Sequence, residues 1–158
     1  MMIHYWIAAL VISFANGNHV IEWLYAHNRA RNAANAFLTP LVWRNYLEAE
    51  AEWFVEQCCT TDEKFRELNT IMFLNHDGYT GSPNQSIYTV TEQRWDIRRG
   101  GNVSSCCNAE RRLCCHYAML TSPDLKYVGC HNKVCPLLLR GIRHDITDGY
   151  IAVCHYGF

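Results

Sequence analysis

A chain of 158 residues, 49% hydrophobic and 18% charged, has the length and apolar content for one domain with a continuous core, and is too short for two of ordinary size. Its formal charge of -1, with Lys and Arg scattered along the sequence, excludes the basic stripe that binding to nucleic acid or an anionic membrane surface requires. Nine cysteines exceed what a reducing compartment ordinarily holds and point to a disulfide framework, the odd count leaving at least one thiol over.

The chain opens on MMIHYWIAALVISFANG, an apolar run ending with Ala15 and Gly17 at the positions a signal peptidase reads. Met1–Gly17 therefore reads as a cleaved leader and 18–158 as the mature, secreted domain. The run has no basic residue before its apolar part, so a buried helix is the alternative reading. Neither this run nor any later segment has the length of a membrane span. His19 to about Ala36 reads as an amphipathic helix with Val20, Ile21, Leu24 and Tyr25 on its apolar face, stopped at Leu38-Thr39-Pro40. Leu47, Ala51, Phe54, Val55 and Cys58 then form one continuous helical stripe, and Asn45 with Glu48 resembles a capping box at its start.

Residues 60–86 read as irregular, with a short helix in DEKFREL and a surface loop in NHDGYTGSPNQS. SIYTVTEQRWDI reads as a further helix capped by Ser86. After a loop over 100–107 the pattern turns to strands: HYAML, KYVGC and YIAVCHY are short and rich in aromatic or β-branched residues. In the last of these, Tyr150, Ala152, Cys154 and Tyr156 alternate with Ile151, Val153 and His155. Helices followed by strands imply an α+β domain with an antiparallel sheet. Asn84-Gln85-Ser86 and Asn102-Val103-Ser104 are glycosylation sequons, Asn84 and Asn102 being the acceptors.

Catalytic patterns are sparse. On a strand, Cys115 and His116 point to opposite faces and cannot form a thiolate–imidazole pair. The chain has no Cys-x-x-Cys pair and no His-Glu-x-x-His. Cys130-x4-Cys135 with His131 comes nearest to a zinc motif, at a spacing looser than structural zinc sites use, so disulfides account better for these cysteines. There is no Gly-x-Ser-x-Gly turn and no glycine-rich phosphate loop.

Four segments, in order, resemble the CAP superfamily of cysteine-rich secretory, antigen 5 and pathogenesis-related 1 proteins. HNRAR at His27–Arg31 is similar to the family's His-Asn-x-x-Arg. PLVWRNYLEAEAEWFVEQC is similar to its tryptophan-led helix ending in cysteine. HYAML running on to VGC is similar to its His-Tyr signature, and YIAVCHYG to its final strand. The likeness covers about His19 to Gly157, and its flavour is that of venom allergen-like proteins.

The resemblance implies a three-layer α-β-α sandwich around a mostly antiparallel sheet, with disulfides Cys130–Cys154, Cys58–Cys135, and Cys114 with Cys106 or Cys107. Cys59, Cys115 and the remaining member of the 106/107 pair are left over. Family members hold two histidines and two glutamates in a central cleft that can take a divalent metal such as zinc. His116 matches one histidine and Glu92 one glutamate, and the other two positions are unmatched, which implies weak or absent metal binding and no obligatory cofactor. Met119 and Ser122 depart from the family's Gln and Trp.

The implied function is a secreted, non-enzymatic binding protein for a small apolar ligand, a sterol or fatty acid, or for a partner protein in host or defence interaction, including immune modulation. It would act as a monomer or dimer with no nucleic acid and no membrane span. The alternatives are a hydrolase using His116 as general base with Glu92 as its orienting acid, and a purely structural interaction scaffold.

Overall fold

The computed structural model describes residues 3–59, 70–74, 82–92, 113–139 and 145–158. In chain order these form α1 (Ile3–Ala34), β1 (Val42–Trp43), α2 (Asn45–Glu56), β2 (Thr70–Leu74), α3 (Pro83–Glu92), α4 (Leu113–Leu120), β3 (Tyr127–Leu138) and β4 (Ile146–Gly157). The strands form one sheet in the order β1-β3-β4-β2. β3 and β4 pair antiparallel along their length, from Tyr127 opposite Gly157 to Leu138 opposite Ile146, and β2 pairs antiparallel with β4. β1 runs parallel to β3, so the sheet is mixed at that edge.

β4 shows why the domain has three layers. Every residue from Tyr150 to Tyr156 is buried, which a strand with one face in water cannot achieve. Tyr150, Ala152, Cys154 and Tyr156 pack into one core with Trp23 and Ala26 of α1, Ile87 and Val90 of α3 and Leu120 of α4. Ile151 and Val153 point the other way, into a second core with Ala51 and Val55 of α2, and His155 stacks on Phe54 with ring centroids 5.2 Å apart. The alternation expected along this strand is present, and both of its faces are covered by helices.

Several local expectations change. HYAML is not a strand: it lies within α4, where Leu, Ala and Met favour helix and neighbouring side chains are about 100° apart instead of opposed. TIMFL, inside the stretch read as irregular, is the edge strand β2. α3 begins earlier than SIYTVTEQ implies. Ser82 is its cap, Oγ accepting from the Gln85 N–H at 3.3 Å, and Pro83 takes the first helical position, where its missing N–H costs nothing. Ser86 lies inside the helix and is buried. At α2 the capping position is Arg44, in extended conformation, with no side-chain cap. Glu48 is used otherwise, accepting from Trp43 Nε1 at 2.9 Å.

On α1 the buried face is Trp23, Ala26, His27 and Arg31, while Ile21 and Tyr25 are exposed. The polar pair enters the core because its hydrogen bonds are supplied there. The stripe expected on α2 is as read: Leu47, Ala51 and Val55 are buried, and Phe54 and Cys58 pack against the same core.

Candidate functional site

The motif His27-Asn28-x-x-Arg31 is scaffold. His27 is fully buried, with Nδ1 2.7 Å from the Trp23 carbonyl and Nε2 2.8 Å from the Tyr156 hydroxyl. Burial lowers its pKa to about 4 against the hydrogen bond it donates to the Trp23 carbonyl, Arg31 adding to the lowering. The ring is therefore neutral, its Nδ1–H donating to Trp23 and its Nε2 accepting from the Tyr156 hydroxyl. Asn28 clamps the chain beyond the helix, its Oδ1 accepting from the Leu41 N–H at 2.7 Å and its Nδ2 donating to the Leu41 carbonyl at 3.3 Å. Arg31, 1% exposed, gives its guanidinium to backbone carbonyls: Thr39 at 2.9 Å, Leu120 at 2.6 Å and Ser122 at 3.0 Å. It ties α1 to the end of α4 and leaves no donor free for a ligand.

Beside this clamp, α1 and α3 diverge around a cavity of about 490 Å³, within the range of small-molecule sites. Its α1 wall is built of small residues, Ala26, Ala30, Ala33 and Ala34. Ile87, Tyr88 and Thr91 of α3 face them, Tyr117 of α4 contributes at one side, and Arg29 and Gln85 supply polar groups. The alanines keep the helices from filling the gap themselves.

A family model, the cysteine-rich secretory protein family CAP, matches residues 24–156. The chain belongs to the CAP family. Solved CAP-fold structures agree over most of the chain at low identity. A hookworm platelet inhibitor aligns at 16% identity over 87% of this chain and 67% of its own, with a TM-score of 0.63. Na-ASP-1 aligns at 14% identity over 86% of this chain, which spans only 37% of that larger protein, with a TM-score of 0.60. The venom allergen-like protein 4 of Schistosoma mansoni aligns at 16% identity over 85% of this chain and 84% of its own, with a TM-score of 0.50. No curated protein matches the chain.

Two of the three CAP disulfides are in place: Cys58–Cys135 ties the end of α2 to β3, and Cys130–Cys154 links β3 to β4 within the sheet. The third, Cys114 with Cys106 or Cys107, lies outside the described residues or side chains, and Cys59 is free. His116, which the resemblance matches to a cleft histidine, is on helix α4 and not on a central strand. It is half-buried, and burial lowers its pKa. Glu92 ends α3 in the backbone trace, and its side chain lies outside the description. Asn84 is exposed in the first turn of α3 and borders the cavity, while Asn102 lies outside the described residues.

The cavity has no signature in the sequence, whereas the loose spacing of the Cys130, His131 and Cys135 set pointed to disulfides, and disulfides are what form. Cys130 and Cys135, which flank His131, are each committed to a disulfide. The same commitment removes Cys130 and Cys154 as ligands beside His27, although the three side chains lie close together. No helix among the described residues is long and apolar enough to cross a membrane.

Proposed function

We propose that this CAP protein is a secreted, non-enzymatic carrier that holds a single-chain apolar ligand, a long-chain fatty acid in preference to a sterol, between α1 and α3. The observation that carries the reading is the cavity of about 490 Å³ walled by alanines on one side and by Ile87 and Tyr88 on the other, with Arg29, Ser82, Asn84, Gln85 and Thr91 as polar groups in its lining. Arg29 at its border supports a carboxylate as the ligand's polar end, since a guanidinium binds a carboxylate in two-pronged fashion. Among the described residues no carboxylate pairs with Arg29.

The test is displacement of a fluorescent fatty acid from delipidated protein. Ala30→Phe, which fills the slot, abolishes binding, and Arg29→Gln weakens a fatty acid while leaving the corresponding fatty alcohol unaffected. Undiminished binding in Ala30→Phe refutes the assignment of the cavity. Equal effects of Arg29→Gln on acid and alcohol refute the carboxylate. Engagement of a partner protein in host or defence interaction is a compatible role of the loaded carrier.

A further inference from the structure

We propose that His19, Glu48 and His131 form a binding site for a divalent transition metal, zinc above all, that fastens α1 to the sheet. Three elements converge there: His19 on α1, Glu48 on the first turn of α2 and His131 on β3. One potential ligand atom from each lies within 4.8 Å of those of the other two, and all three side chains are half-buried. On a tetrahedral ion with bonds of about 2.1 Å, neighbouring ligand atoms are about 3.4 Å apart, so small side-chain rotations complete the set. Two imidazoles and one carboxylate match zinc in place of calcium or magnesium, which take oxygen-rich shells, and leave a fourth position for water.

The surroundings hold these groups as ligands are held. The His19 Nε2 is 3.2 Å from the Cys130 carbonyl, and Glu48 accepts from Trp43 Nε1 at 2.9 Å. A carbonyl on the histidine and a donor on the carboxylate are the outer contacts that orient metal ligands. His131 Nδ1 is buried without a hydrogen-bond partner among the described residues, a costly state for a polar atom unless something else binds the ring.

The fold itself brings the set together. Gly129, His131 and Lys133 alternate along β3 toward α2, where Lys133 pairs with Glu56. Gly129 lets the α2 backbone come so close that a Cβ would lie 2.2 Å from the Glu48 nitrogen. None of the three ligands borders the α1–α3 cavity, and none is among the cleft residues His116 and Glu92 suggested by family likeness.

The secreted chain is stripped with a chelator and titrated with Zn²⁺ against a chromophoric indicator, then with Co²⁺ while tryptophan emission is followed, because Trp23 and Trp43 lie 6.3 and 6.4 Å from the His19 ring. The expected result is one ion per chain, with quenching by Co²⁺. Affinity falls at least about 100-fold in His131→Ala and in Glu48→Gln and is unchanged in Glu22→Gln. Zinc raises the melting temperature of the wild type and not that of His19→Ala, a change outside both cores. The proposal is overturned if the wild type binds no zinc at micromolar concentrations, if binding survives all three ligand substitutions, or if it is lost in His116→Ala instead.

Discussion

Replacing Gly129 by alanine tests the packing of α2 on the sheet. An added Cβ would lie 2.2 Å from the Glu48 nitrogen, 2.6 Å from the Leu47 carbonyl carbon and 2.7 Å from the Leu47 Cβ. The first two are backbone atoms, so no side-chain rotation relieves the clash. Ordinary contact begins near 3.5 Å, and α2 would have to withdraw from β3 by more than about 1 Å. That withdrawal opens the core in which Ala51 and Val55 meet Ile151 and Val153. Forced overpacking costs about 1–3 kcal/mol and more when the backbone must move; rigid obstacles put Gly129→Ala at about 3 kcal/mol. For a domain of this size the melting temperature then falls by about 6–12 °C, measured by circular dichroism or calorimetry at pH 7. A fall of less than about 1 °C would refute the close approach of α2 to β3 and, with it, the placement of Glu48 beside His131.

Acid should destabilise the domain partly through His27. Its folded pKa of about 4 lies below the unfolded value of 6.5, so the unfolded chain binds the extra proton; the stabilising contribution is complete above pH 6.5 and is lost as pH falls toward 4. It amounts to about 3 kcal/mol, and chemical denaturation at pH 7 and pH 4.5 should show a shallower pH dependence in His27→Gln than in the wild type; equal slopes would contradict the buried neutral ring. The paired change Cys58→Ser with Cys135→Ser opens a loop spanning 77 residues, worth about 4.5 kcal/mol by loop entropy, and a loss below about 1 kcal/mol would show that α2 and β3 do not depend on the bridge.

The layers were legible where periodicity is long and unambiguous. The stripe on α2 and the alternation on β4 both specify which side chains enter which core, and the order of motifs identified the family before any geometry. Short apolar runs were not legible. TIMFL and HYAML are alike in length and hydrophobicity, and only pairing with β4 or packing at the end of α4 decides that one is strand and the other helix. The buried face of α1 was misassigned because His27 and Arg31 count as polar in a sequence pattern, while in the fold they are met by the Trp23 carbonyl one turn away and by groups more remote in sequence, up to Tyr156. The His19, Glu48 and His131 cluster has no spacing signature at all: its members come from three elements and meet only because β3 lies beside both α2 and α1.

The central claim is that the gap between α1 and α3 carries an apolar ligand, and the most direct measurement is mass spectrometry of the secreted protein under native conditions, before and after solvent extraction. The native mass should exceed the extracted mass by one fatty acid, restored when oleic acid is added back to wild-type protein and not to Ala30→Phe. Identical masses before and after extraction, with no gain on adding either oleic acid or cholesterol, would contradict it.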